Sequence, residues 1–219
     1  MFLIRLRAEF EKKGRAKYIS HLDLNRCMLR TFRRSRLPIW YTEGFNPHPY
    51  YAFALALSLG FESGCEILDF NLNEEIPFDE VRDRLNAVMP EGMRIVRVWE
   101  QKMKIIAIKE AEYRFSLVSD DAEKLYGDIG KLLSQENILI EKKTKKGMKT
   151  VDIKPDMKII SCENNKGRID ICLRMPAGTQ TNFNPNLFID ALRNFSQTGF
   201  SAEKITRTGI FCDNNMKFE

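Results

Sequence analysis

The sequence has few of the residues and motifs that define several large classes of protein. Its five cysteines are scattered through the chain, at Cys27, Cys65, Cys162, Cys172 and Cys212. They form no CxxC pair, so neither a disulfide framework nor a zinc ribbon is expected. Glycine-rich phosphate-loop and dinucleotide motifs are also lacking, which argues against an ATPase or a dehydrogenase. We therefore expect no bound cofactor.

Long apolar runs are lacking as well. Residues 1–4 are apolar, but Arg5 and Arg7 follow at once, so no segment here has the length of a signal peptide or a membrane span. Scattered, unpaired cysteines are typical of a reducing compartment. Together these features predict a cytoplasmic protein.

The chain has 219 residues, of which 43% are hydrophobic, and this predicts one large globular domain or two small ones. The net charge of +5 is unevenly distributed. Residues 1–50 carry 11 basic and 4 acidic side chains, whereas residues 51–100 carry 4 and 10. The first fifty residues are therefore the part of the chain best suited to an anionic partner.

A helix is predicted to begin near His21, because Ser20 and Asp23 have the spacing of a capping box. Helical geometry places four arginines within an arc of about 100°. These are Arg26, Arg30, Arg33 and Arg34, with Leu24, Met28 and Phe32 on the opposite side. Pro38 is expected to end the helix.

The segment that follows is predicted to be a shaped loop, because Pro47 and Pro49 fix backbone angles and Gly44 permits a positive φ. It presents His48, one of only two histidines in the chain. Aromatic residues surround it, namely Trp40, Tyr41, Phe45, Tyr50 and Tyr51. Aromatic rings beside arginines suit stacking on unpaired bases together with phosphate contacts.

The hydrophobic periodicity predicts an α+β fold of two tandem ferredoxin-like (βαββαβ) domains with antiparallel sheets. In the first half, strands are expected from residue 4, at 51–59, 66–72 and 93–99, with helices from residue 21 and at 77–89. In the second half, the expected strands or extended segments are 112–119, 138–143, 149–160, 168–175 and 200–212, and the helices are 122–134 and 185–195. The predicted boundaries are a domain at 1–100, a connection at 101–110, a domain at 111–213, and a tail at 214–219. Disorder is expected only at this end of the chain.

Residues 142–149 contain five lysines and one glycine, and we expect a hairpin tip there. It is either a solvated turn or an arm that follows phosphates without reading sequence. The complete set of predicted RNA-binding residues is Lys12, Lys17, Tyr18, Arg26, Arg30, Arg33, Arg34, Phe45, Asn46, Tyr50, Lys145 and Lys146. The alternative for the helix and loop is a solvated arginine face beside core aromatic residues.

Three motifs in the first fifty residues carry a resemblance to a known family. They are Phe10-x-Lys12-x-Gly14, Tyr18-Ile19-Ser20-His21-Leu22-Asp23-Leu24-x-Arg26, and Gly44-Phe45-Asn46-Pro47-His48-Pro49. With weaker matches at 151–155 and 207–209, the chain resembles the radical-SAM-linked protein family, a bacterial domain of unknown function found alone or attached to radical-SAM proteins. The resemblance implies a radical-SAM partner protein and a role around RNA.

Two further features bear on that resemblance. The chain lacks a CxxxCxxC motif, so it is not expected to hold the iron-sulfur cluster itself. Residues 177–182 are less rich in glycine than the family pattern implies. The expected arrangement is also similar to the CRISPR-repeat-processing endoribonucleases, which use tandem ferredoxin-like domains, and this analogy of fold favours RNA as a ligand.

Four functions are compatible with the sequence. The first is an RNA-binding accessory protein for tRNA or rRNA that acts with a radical-SAM partner. The second is a metal-independent endoribonuclease, in which His21 or His48 transfers protons and Lys12, Lys17 or an arginine stabilises the phosphorane. The third is a metal site formed by His21, Asp23 and His48. The fourth is a protein-protein adaptor that does not bind RNA.

Overall fold

The computed structural model describes residues 3–144, 147–178 and 181–219, and the side chains of 142–144 are left aside. The chain forms two compact units, one made of residues 1–107 with 217–219 and the other of residues 108–216. The described residues include four α-helices and antiparallel sheets. The predicted α+β class is therefore confirmed. In this part of the chain, no helix is long and apolar enough to cross a membrane.

The described residues of the first unit form four strands and two α-helices. They are β1 (Ile4–Lys12), α1 (His21–Ser35), β2 (Tyr51–Phe53), β3 (Glu62–Leu72), α2 (Phe78–Asn86) and β4 (Met93–Glu100). The strands lie in the order β4-β1-β3-β2, and each neighbouring pair is antiparallel. Its core contains Leu6, Ala8 and Phe10 of β1 together with buried side chains from both helices, among them Met28 and Leu85.

The opposite face of β1 is also covered. Arg7 is fully buried, and its guanidinium donates to both carboxylate oxygens of Asp69, at 2.6 and 2.8 Å. Arg7 also donates to the carbonyl oxygens of Met103 and Glu219. Phe218 is buried, and its ring centroid lies 4.2 Å from the Arg7 guanidinium carbon. Residues 217–219 are thus packed against the first unit and are not the free tail that the sequence predicted.

Two of the predicted extended segments are cut short or interrupted in the structure. The strand predicted at 51–59 is only Tyr51–Phe53, and the chain turns at 58–60, where the Phe61 amide donates to the Ser58 carbonyl. The extended segment predicted at 149–160 is interrupted between residues 152 and 158. Asp152 stabilises this break, because its Oδ1 accepts hydrogen bonds from the amides of Ile138 and Lys154.

Six strands and two α-helices form from the part of the second unit that the structure describes. They are β5 (Glu110–Val118), α3 (Ala122–Ser134), β6 (Leu139–Thr144), β7 (Gly147–Asp152), β8 (Lys158–Asn165), β9 (Arg168–Pro176), α4 (Asn186–Phe195) and β10 (Ser201–Phe211). The main antiparallel sheet has the order β10-β5-β9-β8, and β6 pairs with β7 in a separate hairpin. The helices bury apolar side chains against the sheet, as in the contact between Phe188 and Phe115 at 5.2 Å between ring centroids.

We expect Asp69→Asn to lower the free energy of unfolding by about 3–5 kcal/mol, because it leaves the Arg7 charge buried without its counter-ion. Urea denaturation monitored by circular dichroism measures this change. Asp79→Asn is the matched control, since Asp79 pairs with Arg82 on the surface of α2 and such pairs contribute less than about 1 kcal/mol. Equal effects of the two substitutions would contradict a central role for the Arg7–Asp69 pair.

Candidate nucleic-acid interface

Helix α1 begins as the sequence predicted. Ser20 is its N-cap, and the Ser20 Oγ accepts a hydrogen bond from the Asp23 amide at 3.1 Å. The second half of the predicted capping box is different, since the Asp23 carboxylate accepts a bond from the Ser20 hydroxyl at 2.7 Å rather than from a backbone amide. This bond, with a smaller contribution from Arg26, lowers the pKa of Asp23 below its usual value.

The four arginines of α1 form an exposed cationic face, which comprises Arg26, Arg30, Arg33 and Arg34. Arg26 pairs with Asp23 at 3.2 Å. Among the described residues, no hydrogen bond or salt bridge joins the other three guanidinium groups to a partner. Three cations on one helical surface are therefore available to an anionic ligand.

The C-terminal end of α1 is fixed by a residue that the sequence did not single out. The helix ends at Ser35, and Arg36 adopts a left-handed conformation with φ 55°. Arg84 of α2 donates to the carbonyl oxygens of Ser35 and Arg36, which satisfies acceptors left free at the helix end. Pro38 lies three residues beyond the helix. The end of α1 thus depends on a contact with α2 as well as on local sequence.

Aromatic contacts attach α1 to the sheet. The Tyr51 hydroxyl lies 3.1 Å from Asn25 Oδ1 and 3.2 Å from the Asn25 carbonyl, so it can donate to either. The Tyr51 ring also contacts Phe32 and Phe53. His21 packs edge-on against Phe53, with 5.4 Å between ring centroids. The imidazole of His21 therefore has a packing role at the start of α1, although the residue is exposed.

Residues 40–50 form a closed turn that we call the aromatic hairpin. The Thr42 amide donates to the His48 carbonyl at 2.9 Å, and the Tyr50 amide donates to the Trp40 carbonyl at 3.0 Å. The rings of Trp40 and Tyr50 are in edge-to-face contact. Gly44 has φ +118°, a conformation that favours glycine at the tip. The hairpin is thus held by backbone hydrogen bonds as well as by its prolines.

The hairpin also orients His48. Its Nδ1 lies 3.1 Å from the Asn46 carbonyl oxygen, which can only accept, and 3.2 Å from the Thr42 hydroxyl. These contacts favour the tautomer with a proton on Nδ1, so that Nε2 carries the lone pair. His48 is exposed, and its free nitrogen is accessible to a ligand.

The aromatic hairpin presents Phe45 without any covering side chain. Phe45 is fully exposed, Asn46 next to it is exposed, and Tyr50 is exposed where it pairs with Trp40. An apolar ring held away from the core by an ordered turn costs free energy in water unless a ligand covers it. Phe45 is therefore the residue of the hairpin best suited to stacking on a base.

Of the predicted basic and aromatic residues before α1, Lys17 and Tyr18 are accessible and Lys12 is not. Lys12 is buried, and its ammonium donates to the Ile19 carbonyl at 3.3 Å. The phosphate contact of Lys12 stays a prediction, and in this structure its side chain is buried and its ammonium donates to a backbone carbonyl. Tyr18 is 67% exposed, and the Lys17 ammonium lies 5.1 Å from its ring centroid.

The predicted metal set is not assembled. Within residues 3–144, 147–178 and 181–219, no group of three His, Cys, Asp or Glu side chains could hold a metal ion. His21 instead contacts Phe53, Asp23 is engaged by Ser20 and Arg26, and no contact of the described residues joins His21 to His48. The sequence had placed these residues in one region but could not specify the directions of their side chains.

Two exposed leucines beside the site were missed by sequence reasoning. Leu22 is 60% exposed and Leu59 is 64% exposed. The Gly60 amide donates to the Lys17 carbonyl, which brings the 58–60 turn next to Tyr18. Leu22 could have been found, because it lies about 160° from Leu24 around the helix and so outside the buried stripe. Leu59 had been assigned to a strand.

The lysine-rich tip is only partly described. β6 and β7 form the predicted hairpin, in which Thr144 is paired with Gly147. Lys145 and Lys146 lie outside the described residues, as do residues 179 and 180 of the loop in which more glycine was expected.

Comparison with known families gives a match. The sequence profile of a bacterial family described as "Uncharacterized protein conserved in bacteria (DUF2344)" covers residues 5–185. The chain belongs to this family. The matched residues of this DUF2344 chain include β1 from Arg5 onward, the whole of α1 and the aromatic hairpin. A search of curated proteins gives no match.

We expect Ser20→Ala to raise the pKa of Asp23 towards its usual value, because the hydroxyl bond is the main cause of the lowered pKa. Folding favours the ionised form of Asp23, because its pKa is lower in the folded protein than in the unfolded chain. The stabilisation by Asp23 is therefore present above its usual pKa and is lost as the pH falls through the lowered pKa of the folded protein. An NMR titration of the Asp23 carboxyl carbon measures the shift. Ser20→Thr keeps a hydroxyl and is the matched control; an unchanged Asp23 pKa in Ser20→Ala would contradict this assignment.

Proposed function

We propose that this protein binds RNA, such as tRNA or rRNA, as an accessory protein for a partner enzyme. The observation that carries the proposal is that one unit combines an exposed cationic helix face with an ordered hairpin whose tip is the uncovered ring of Phe45. Phosphate contacts by arginine supply affinity, and stacking on an aromatic ring selects unpaired bases.

The connection between helix and hairpin supports a single binding surface. Tyr51 directly follows the hairpin and bonds to Asn25, which lies one residue before Arg26 on α1. The hairpin and the helix are thus fixed to each other through side chains rather than through a flexible linker. A preorganised surface loses less conformational entropy when RNA binds.

The strand orders support a finer assignment of fold. We propose that both units are ferredoxin-like, with β6 and β7 as an insertion in the second. The order β4-β1-β3-β2 in the first unit corresponds to β10-β5-β9-β8 in the second. In chain order, a helix follows the first and third strands in both units, namely β1 and β3 in the first and β5 and β9 in the second. Ferredoxin-like folds are found in proteins with many unrelated functions, so the fold alone does not favour one activity over another.

The partner is proposed from the sequence motifs alone. The resemblance in residues 10–26 and 44–49 points to a radical-SAM protein, and we propose a cytoplasmic complex in which this chain presents RNA to that enzyme. If the chain has no affinity for RNA, the adaptor function without RNA replaces this proposal.

Cleavage of RNA is the second candidate, and the geometry of His48 favours it over His21. The Asn46 carbonyl and Thr42 hydroxyl leave the Nε2 lone pair of His48 free to accept a proton from a 2′-hydroxyl. His21 contacts an aromatic ring instead. A cleaved RNA carrying a 2′,3′-cyclic phosphate, lost in His48→Ala, would replace the accessory function with a nuclease function.

We expect the triple variant Arg26→Gln, Arg30→Gln, Arg33→Gln to bind RNA more weakly and with a flatter salt dependence. Each lost contact with a single-stranded phosphate lowers the slope of log affinity against log salt concentration by about 0.7, so three contacts lower it by about 2. Fluorescence anisotropy of labelled tRNA, rRNA fragments and matched DNA over a salt series measures the slope. The same samples on a denaturing gel show whether the RNA stays intact.

The matched control for this experiment removes three exposed arginines elsewhere, by Arg94→Gln, Arg114→Gln and Arg193→Gln. This control changes the net charge equally, so any general charge effect is the same in both variants. A slope that falls by the same amount in both variants would remove the specific role of α1.

We expect Phe45→Ala to weaken RNA binding by about 1–3 kcal/mol, the usual contribution of one stacked base. Phe45→Trp should retain the affinity, because indole stacks at least as well as a phenyl ring. The slope of the salt dependence should not change in either variant, since neither alters charge. Equal affinities for Phe45→Ala and the unmodified protein would exclude the hairpin tip from the interface.

A further inference from the structure

Strand β8 is at the edge of the sheet in the second unit. It pairs with β9 on one side, and the described residues provide no strand on its other side. Apart from the Cys162 carbonyl, which accepts a hydrogen bond from the Tyr126 hydroxyl, the backbone amide and carbonyl groups along that side can therefore pair with another extended chain.

The exposed edge is apolar near the start of the strand. Ile159 is 44% exposed and Ile160 is 49% exposed. Tyr126 of α3 is also exposed, and its hydroxyl donates to the Cys162 carbonyl on the same strand at 3.4 Å. Proteins usually protect an edge with proline or with charged side chains at its centre, and residues 159–162 contain neither.

A bulge in β8 determines which side chains share a face. Ile159 is opposite Leu173 and Ser161 is opposite Cys172, so Ile160 is an extra residue in the strand. In a regular strand, residues 158 and 163 would point to opposite faces. Because of the bulge, the side chains of Lys158 and Glu163 lie on the same face of the sheet. Their partners on β9, Arg174 and Asp170, are four positions apart and therefore point to the same face.

By the same reasoning, Ile159 and Cys162 share the other face. Their partners on β9 are Leu173 and Ile171, which are both buried and two positions apart. Burial, with a smaller contribution from Glu163, raises the pKa of the Cys162 thiol. The thiol is therefore neutral and suited to apolar contact.

We propose that β8 pairs in antiparallel fashion with β8 of a second copy of this chain. In this register Lys158 is opposite Glu163 of the other copy, and Ile159 is opposite its Cys162. Each pair lies on a single face, and each occurs twice because the arrangement has two-fold symmetry. Opposite charges at the ends and apolar side chains between them make β8 complementary to itself.

The in-chain contacts of Lys158 and Glu163 are compatible with this pairing. Lys158 bonds to Glu110 at 2.5 Å and remains 57% exposed, so its ammonium has donors left for a second carboxylate. Glu163 is exposed, and no hydrogen bond or salt bridge of its side chain is seen among the described residues. A contact of one strand with one strand is small, so the dimer should dissociate on dilution.

Sedimentation velocity over a concentration series tests the proposal with a charge-reversal cycle. Lys158→Glu and Glu163→Lys should each weaken dimerisation about tenfold, because each places like charges opposite one another twice. The double variant restores both opposite-charge pairs and should restore the dimer. Glu110→Gln is the control, since it removes only the in-chain partner of Lys158 and should leave dimerisation unchanged.

A disulfide trap provides an independent measurement. Ile159→Cys places a thiol opposite Cys162 of the other copy, and oxidation with diamide should give a covalent dimer on a non-reducing gel. Ile159→Cys combined with Cys162→Ser should not be cross-linked. A monomer at every concentration, a double charge variant that fails to restore the dimer, or cross-linking that persists without Cys162 would each overturn the proposal.

Discussion

The ion pair between Arg7 and Asp69 constrains the whole first unit. These residues lie directly opposite each other on β1 and β3, so their two hydrogen bonds fix the register of the central strand pair. Gln101 donates to the same carboxylate at 2.8 Å, and Phe218 covers the guanidinium. A buried pair of this kind adds little net stability over an apolar pair, but it strongly disfavours any register that would leave one charge alone.

That register determines where the cationic face and the aromatic hairpin lie. α1 packs on the apolar face of the paired strands through Met28 and Phe32, while β2 pairs with β3 at Tyr51. A slip of one residue would move every side chain of β1 to the other face and remove the surface on which α1 rests. The candidate site therefore depends on a buried charge on the opposite side of the sheet.

The sequence predicts those parts of the structure that depend on neighbouring residues. The start of α1 was predicted correctly from Ser20 and the apolar spacing of the helix. Helix α3 lies at the predicted residues 122–134, with Asp121 as its N-cap. Contacts between distant residues were not predictable from local pattern. The covered face of β1 requires Phe218, and the end of α1 requires Arg84. At the candidate site, the glycine and prolines around Phe45 indicated the turn that exposes its ring. The burial of Lys12, whose ammonium donates to the Ile19 carbonyl, was not indicated by the local pattern.

The position of residues 217–219 in the first unit has a consequence for the order in which the protein matures on the ribosome. Phe218 and Glu219 contact Arg7, yet they are synthesised after the entire second unit. At bacterial elongation rates, the intervening residues take roughly 5–20 s to make. During that time Arg7 lacks two of its partners, while the second unit emerges as one continuous segment. The unit whose synthesis begins first is therefore the last to be completed.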